Sequence, residues 1–382
     1  MAEERRTDWF MFGLAAGLAL FGTLMVYSAS AMIAYRESQE TSQFGYFYKQ
    51  LTFAVIGIVV MFILSRFDYR ILNNRGVVYA ILAITSLMLL AVFFFPAING
   101  AKRWIRFGGF SLQPSEIAKL ALPIFLAWFL TKNDGTVGDL KKTVLPCLLG
   151  LLLLAGLVMA EKDLGTTMVL CAVFSAVYFA AGARILHIAS VAALMVIAGA
   201  AALIFAPWRV ARVMAFLDPY KYSDDAGYQV VQSLYAIGSG GVFGEGFAQG
   251  QAKLFYLPYP YSDFIFSVVG EELGLLGTLA VVLAFALLFW RGTRAAMLAP
   301  DRFGMLLGIG IITGLIVQAL FNISVVISIL PAKGIPLPFI SYGGSSVVVS
   351  LAAVGILLSI SRFAGSPERE AAVRRSPTRR RR

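Results

Sequence analysis

Four polar runs interrupt an otherwise apolar chain, and they hold the residues that could do chemistry. The longest extends from Pro207 to Glu272 and ends in a tyrosine-rich turn, LFYLPYPYSDFIF, that leads through Asp263 into an apolar run. An aspartate at that position either caps the next helix or acts as an acid–base group. Glu271, eight residues on, shares its helical face but lies about 12 Å deeper, too far to pair with it across one bond. The loop at 99–116, NGAKRWIRFGGFSLQPSE, sets Lys102, Arg103 and Arg106 around Trp104. A tryptophan can be a simple membrane-interface anchor. Three cations in five residues, however, suit an anionic ligand such as a phosphate. The link EKDLGTT offers Asp163, as a helix cap or as a cavity-lining group. The run PAKGIPLPF at 331–339 offers Lys333 as an anion contact. Its three prolines break a helix, and irregular backbone at membrane depth occurs only where it is buried or lines a cavity. Glu116 and Lys119 are spaced to pair on one helix face; ionisable groups within a span are otherwise costly and tend to be functional.

The elements that must position these groups are membrane spans. The 382 residues are 59% hydrophobic and only 14% charged, against about 25% charged for soluble domains. Apolar runs of about 20 residues recur, the length that crosses a bilayer as helix. Shorter alternating runs expected of a β-barrel are missing. The reading is an all-α, polytopic membrane protein with about ten spans, near 9–33, 46–65, 76–96, 114–131, 143–160, 164–182, 185–206, 263–290, 303–329 and 339–361. Placing both termini in the cytoplasm puts about 20 of the basic residues inside, as the positive-inside rule requires. The loop 207–262 between spans 7 and 8 is then extracytoplasmic, and residues 1–362 form one transmembrane domain. The basic tail, 363–382, is expected to be disordered and to touch anionic lipid.

The net charge of +11 reflects this loop bias and does not argue for nucleic-acid binding. Cys147 and Cys171 lie within apolar runs and read as small hydrophobes; His187 sits in a short loop without partners for a metal site. Within 207–262, the residues after Asp224 and Asp225 read as a capped amphipathic helix, with Val230, Val231, Leu234 and Ile237 on one face, resting on the membrane surface. The run GSGGVFGEGFAQGQ has no preceding strand and no Lys-Ser/Thr, so it is no nucleotide loop and reads as a mobile connector.

Five segments in order, NGAKRWIRFGGFSLQPSEIAKL, KDLGTT, GYQVVQSLYAIGSGGVFGEG, KLFYLP…SDFIFSVVGEELGLLG and KGIPLPFISYGGSS, resemble the SEDS family of shape, elongation, division and sporulation proteins. The likeness is to its division branch more than its elongation branch. It implies a peptidoglycan glycosyltransferase of the inner membrane, at the septum, that polymerises lipid II beside a class B penicillin-binding protein and other division proteins. On the matching positions Asp263 is the required aspartate, Trp104 with its three cations the outer loop, and Glu116 and Asp163 the cavity acids. Family members often carry PEAHTD before this helix, where this chain has PYPYSD: the Glu and His are absent and the Asp remains.

Asp263 would then remove the proton from an attacking sugar hydroxyl. Lys102, Arg103, Arg106, Lys253 and Lys333 would hold the leaving pyrophosphate, which needs charge stabilisation and no general acid. A divalent cation, Mg or Mn, is compatible with this chemistry, although no clustered ligands demand one. A lipid II flippase is the rival reading, with Glu116, Lys119, Asp163 and Glu272 lining a polar passage.

Overall fold

The computed structural model describes residues 7–98, 100–107, 110–183, 193, 207–223 and 227–364. The helices are α1 (Trp9–Glu37), α2 (Gly45–Arg66), α3 (Arg75–Ala91), α4 (Pro114–Lys132), α5 (Leu145–Ala160), α6 (Leu164–Ala180), α7 (Pro207–Leu217), α8 (Tyr228–Ser239), α9 (Ile265–Met297), α10 (Arg302–Val326) and α11 (Gly344–Phe363). Among the described residues eight helices are long and apolar enough to cross a membrane, and α6 is a shorter apolar helix. Nine of the ten expected spans thus have a counterpart; the tenth, 185–206, lies outside the described residues apart from residue 193, as do His187, Asp224, Asp225 and the tail beyond residue 364.

The helix ends follow local chemistry. Asp8 accepts from the Met11 amide at 3.0 Å to cap α1, and Asp163 caps α6 through the Thr166 amide at 3.0 Å, each satisfying an amide that the first turn leaves free. Pro114 opens α4, where its missing N–H costs nothing. Helices α4, α10 and α11 are mostly buried and form the interior. Helices α2, α3 and α9 expose most of their apolar surface, as lipid-facing helices do. The loop before α4 contains one feature the all-α reading lacked, a short hairpin of β1 (Ile105–Phe107) and β2 (Phe110–Leu112), paired Ile105 to Leu112 and Arg106 to Ser111.

Two expectations for the long loop are corrected. The apolar face of helix α8 packs on the protein itself. Val230, Val231 and Ala236 are buried, and the Ser233 hydroxyl sits 2.7 Å from that of Ser267 on α9 while donating to the Val326 carbonyl of α10 at 2.7 Å. The glycine run is not a free connector either. It docks on α9: the amides of Glu245 and Gly246 donate to the Glu271 and Glu272 carbonyls, both at 3.0 Å. The α9 backbone leaves helical geometry at Gly274 (φ 64°, ψ −160°), which frees those carbonyls. Gly244 has φ +81°, and a Cβ there would stand 2.2 Å from the Glu272 carbonyl oxygen. Only glycine permits that conformation and that approach. The two carboxylates complete the clamp: Glu271 accepts from the Gln251 and Ala252 amides at 2.7 and 2.9 Å, and Glu272 from Ala248 at 2.9 Å.

Candidate active site

Asp263 stands where the docked loop turns into α9. Three contacts hold the backbone of the turn from Tyr261 to Asp263. Its carbonyl accepts from Asn322 Nδ2 on α10 at 2.8 Å, and the same nitrogen donates to the Ile335 carbonyl at 2.8 Å. The neighbouring Ser262 carbonyl accepts from Ser341 at 2.7 Å, and the Tyr342 amide donates to the Tyr261 carbonyl at 2.9 Å. On the other side is Gly334, where a Cβ would press within 2.9 Å of Asp263 Oδ2. The irregular segment 331–343 thus wraps the turn, with α10 as its rigid support.

The Asp263 side chain faces a cavity of about 1260 Å³ that Arg103, Trp104, Arg106, Asp163 and Lys333 also line. Burial pushes the Asp263 carboxyl up to about 6, with Asp163 adding to the rise and Arg103 and Arg212 opposing it. Desolvation of the charged form therefore outweighs the attraction of two guanidinium groups. Such a carboxylate is ionised at neutral pH yet basic enough to accept a proton.

Two of the cations, Arg103 and Arg212, are held by backbone carbonyls. Arg103 donates to the Lys162 carbonyl at 2.6 Å, bracing the 99–113 loop against the α5–α6 link. Arg212 on α7 donates to the Ala332 carbonyl at 3.3 Å. Lys333 Nζ lies 2.8 Å from the Met168 sulfur. Asp163 is both a helix cap and a cavity wall, accepting from the Thr166 hydroxyl at 2.9 Å. Beneath it the buried Glu161 carboxyl, neither of whose oxygens has a hydrogen-bond partner, is pushed up to about 8 by burial, with Asp163 adding to the rise and Arg103 opposing it.

Three expected contacts lie elsewhere. Lys102 donates to the Phe93 carbonyl at 2.8 Å on the exposed side of its loop. Glu116 is buried in an ion pair with Lys119 at 2.7 Å, and Lys119 also donates to Gln318. Lys253 is buried against Glu272 at 2.6 Å; a glutamate that deep requires a counter-charge, and Lys253 supplies it. None of the three lines the cavity. Conversely, Arg212, Lys162, Gln113 and a group of tyrosines line it without having been expected to. For Arg212 the signal was present in the amphipathic run PWRVARVMAFL; for the tyrosines it was the aromatic density of the turn.

Helices that cross a membrane, enclosing at one end a cation-lined cavity with one basic carboxylate, define a polytopic membrane protein built to handle an anionic ligand. The family described as "Cell cycle protein", which groups FtsW, RodA and SpoVE, matches residues 8–366, and the chain belongs to this family, the SEDS proteins. A protein of Geobacter metallireducens named "Probable peptidoglycan glycosyltransferase FtsW" is 39% identical over 372 residues, covering 96% of this chain and 98% of the relative. The stage V sporulation protein E of Bacillus subtilis is also 39% identical, over 91% of this chain and 94% of its own length. Among solved structures, one described as "Structural coordination of polymerization and crosslinking by a peptidoglycan synthase complex" has a chain that superposes with a TM-score of 0.76 at 28% identity, over 93% of this chain and 98% of that one. An aspartate-to-alanine mutant of RodA from Thermus thermophilus superposes with a TM-score of 0.69 at 26% identity, over 94% and 98% of the two chains.

Proposed function

We propose that this chain is a peptidoglycan glycosyltransferase that polymerises lipid II on the outer face of the cytoplasmic membrane, with Asp263 as general base. The observation that carries the reading is the Asp263 carboxylate, raised to about 6, inside a cavity that Glu37 and Asp163 also line and whose remaining charged groups are cations. The names of the relatives and the complex matched in structure support the same reaction class and a transpeptidase partner of the class B penicillin-binding type. The relatives named FtsW favour work at the division septum over elongation.

A sugar hydroxyl of the acceptor lipid II approaches the anomeric carbon of the donor. Asp263 takes its proton as the C–O bond forms, and the bond to the pyrophosphate breaks with its electron pair passing to the phosphate oxygen. That leaving group needs no proton; Arg103, Arg106, Arg212 and Lys333 stabilise its charge. Anchoring both substrates by their lipid tails beside one cavity supplies orientation, worth up to several powers of ten. Among the described residues no three His, Cys, Asp or Glu side chains converge on a metal position. Asp163 and Asp263 could hold Mg or Mn only together with substrate phosphates, where the ion would add charge stabilisation. The flippase reading loses support because Glu116 and Lys119 pair with each other and Glu272 pairs with Lys253.

The test is glycan-strand synthesis from lipid II by the purified protein with its transpeptidase partner. Wild type is expected to polymerise and Asp263→Ala to be inactive. Transport of lipid II across liposomes by a wild type that never polymerises it would sink the proposal.

A further inference from the structure

The cavity lining combines cations with a group of aromatic rings. The cations that could hold pyrophosphate come from the 99–113 loop, the α5–α6 link, α7 and Lys333. Another part of the lining is aromatic. Tyr46 at the start of α2, Tyr261 in the turn and Tyr342 before α11 all line the cavity. Their ring centroids are 4.8 Å apart for Tyr46 and Tyr261, 5.0 Å for Tyr46 and Tyr342 and 5.6 Å for Tyr261 and Tyr342. The group is built in place. Tyr342 donates its amide to Tyr261, Gln50 on α2 donates to the Ser341 carbonyl at 3.1 Å, and the Tyr46 hydroxyl donates to Glu37 Oε2 at 2.8 Å. Burial raises the Tyr261 and Tyr342 phenols above their ordinary range, so both remain neutral.

A packed group of neutral aromatic rings, with the Glu37 carboxylate at one edge and Lys49 one turn along α2, favours a ring with apolar C–H faces and hydroxyls at its rim. That is the chemistry of a pyranose: its C–H face packs on aromatic carbon while its hydroxyls meet phenols and a carboxylate. We infer that Tyr46, Tyr261 and Tyr342 form a sugar-binding subsite that seats the acceptor's terminal ring. Tyr261 lies two residues before Asp263 and lines the same cavity, so a ring resting on it sits on the turn that carries the carboxylate. Lys49, one turn beyond Tyr46, also lines the cavity and is the cation nearest these rings in sequence. The inference rests on Asp263 as the base of glycosyl transfer.

Direct binding separates the two ideas. The full-length protein in detergent is titrated with lipid II and, separately, with undecaprenyl pyrophosphate, which has the same lipid and phosphates but no sugar. Tyr261→Ala and Tyr46→Ala should each weaken lipid II binding about tenfold, the order expected for one lost aromatic contact. Undecaprenyl pyrophosphate binding should be unchanged, and Tyr261→Phe should retain most of the affinity. Equal losses for both ligands, or no loss for lipid II in variants that keep the wild-type melting temperature, would overturn the subsite. Unchanged polymerisation by Asp263→Ala would instead refute the base, and the sugar-selective binding loss would still be read independently.

Discussion

Asn322 lies outside the cavity lining, yet it should be essential to the activity. It sits deep in α10 and is 1% exposed. Its side-chain nitrogen bridges the carbonyls of Asp263 and Ile335, at 2.8 Å each, and so joins the two strands of chain that meet at the carboxylate. In Asn322→Ala both carbonyls lose their donor. Soluble proteins put the cost of such a buried orphan at about 1–3 kcal/mol each. Within membranes hydrogen bonds average only about 0.6 kcal/mol, because the reference state finds other partners. Asn322 lies in a span, so the membrane figure applies and gives about 1 kcal/mol for the two bonds, enough to lower the melting temperature while leaving the protein folded. The effect on rate should be larger. A displacement of about 1 Å at the base costs on the order of a hundredfold, and nothing else on α10 donates to the Asp263 carbonyl. Polymerisation rate at saturating lipid II, measured beside melting and lipid II affinity, separates these effects. The expected result is a rate loss near a hundredfold with affinity within about threefold of wild type. A variant that polymerises at more than half the wild-type rate would refute the positioning argument.

Other outcomes follow from the same geometry. With the Asp263 carboxyl at about 6, kcat/KM should fall about tenfold per pH unit below that value and level off above it; a profile flat down to pH 5 would exclude this group as the titrating base. Gly334→Ala should reduce polymerisation by at least about tenfold with little loss of stability, because the new methyl would press on Asp263 Oδ2 at 2.9 Å rather than on the core; full activity would mean that the 331–343 segment yields freely. Lys253→Met leaves Glu272 buried without its counter-charge, and removing one partner of a buried pair costs about 3–5 kcal/mol. Its melting temperature should drop sharply, and the double variant Lys253→Met with Glu272→Gln should recover much of the loss; absence of recovery would show that the pair is not what holds the loop.

Much of this architecture was legible in the residues. The spans are apolar runs of bilayer length, so nine appeared where expected, and Asp163 followed from the capping preference of aspartate ahead of Leu164. Asp263 stood out because a proline-constrained turn delivered a carboxylate to a span mouth. The failures share one physical cause: partners distant in sequence. Lys253 looked like an anion contact because Glu272, nineteen residues away, becomes its neighbour only when the loop folds back on α9. The glycine run looked mobile because its carbonyl partners are released by a break at Gly274 that hydropathy does not signal. Arg212 and the three tyrosines come from separate elements, and only tertiary packing gathers them around one cavity.

The central claim is that one carboxylate serves as the base, and substitution of that group alone tests it most directly. Asp263→Asn keeps the shape and removes the charge. Because burial raises the folded-state pKa, the ionised carboxylate costs stability above about pH 6, so the asparagine protein should melt no lower than wild type at pH 7. Given lipid II and its transpeptidase partner, that folded protein is predicted to bind substrate and make no glycan strands. Strand synthesis at the wild-type rate by Asp263→Asn would contradict the account.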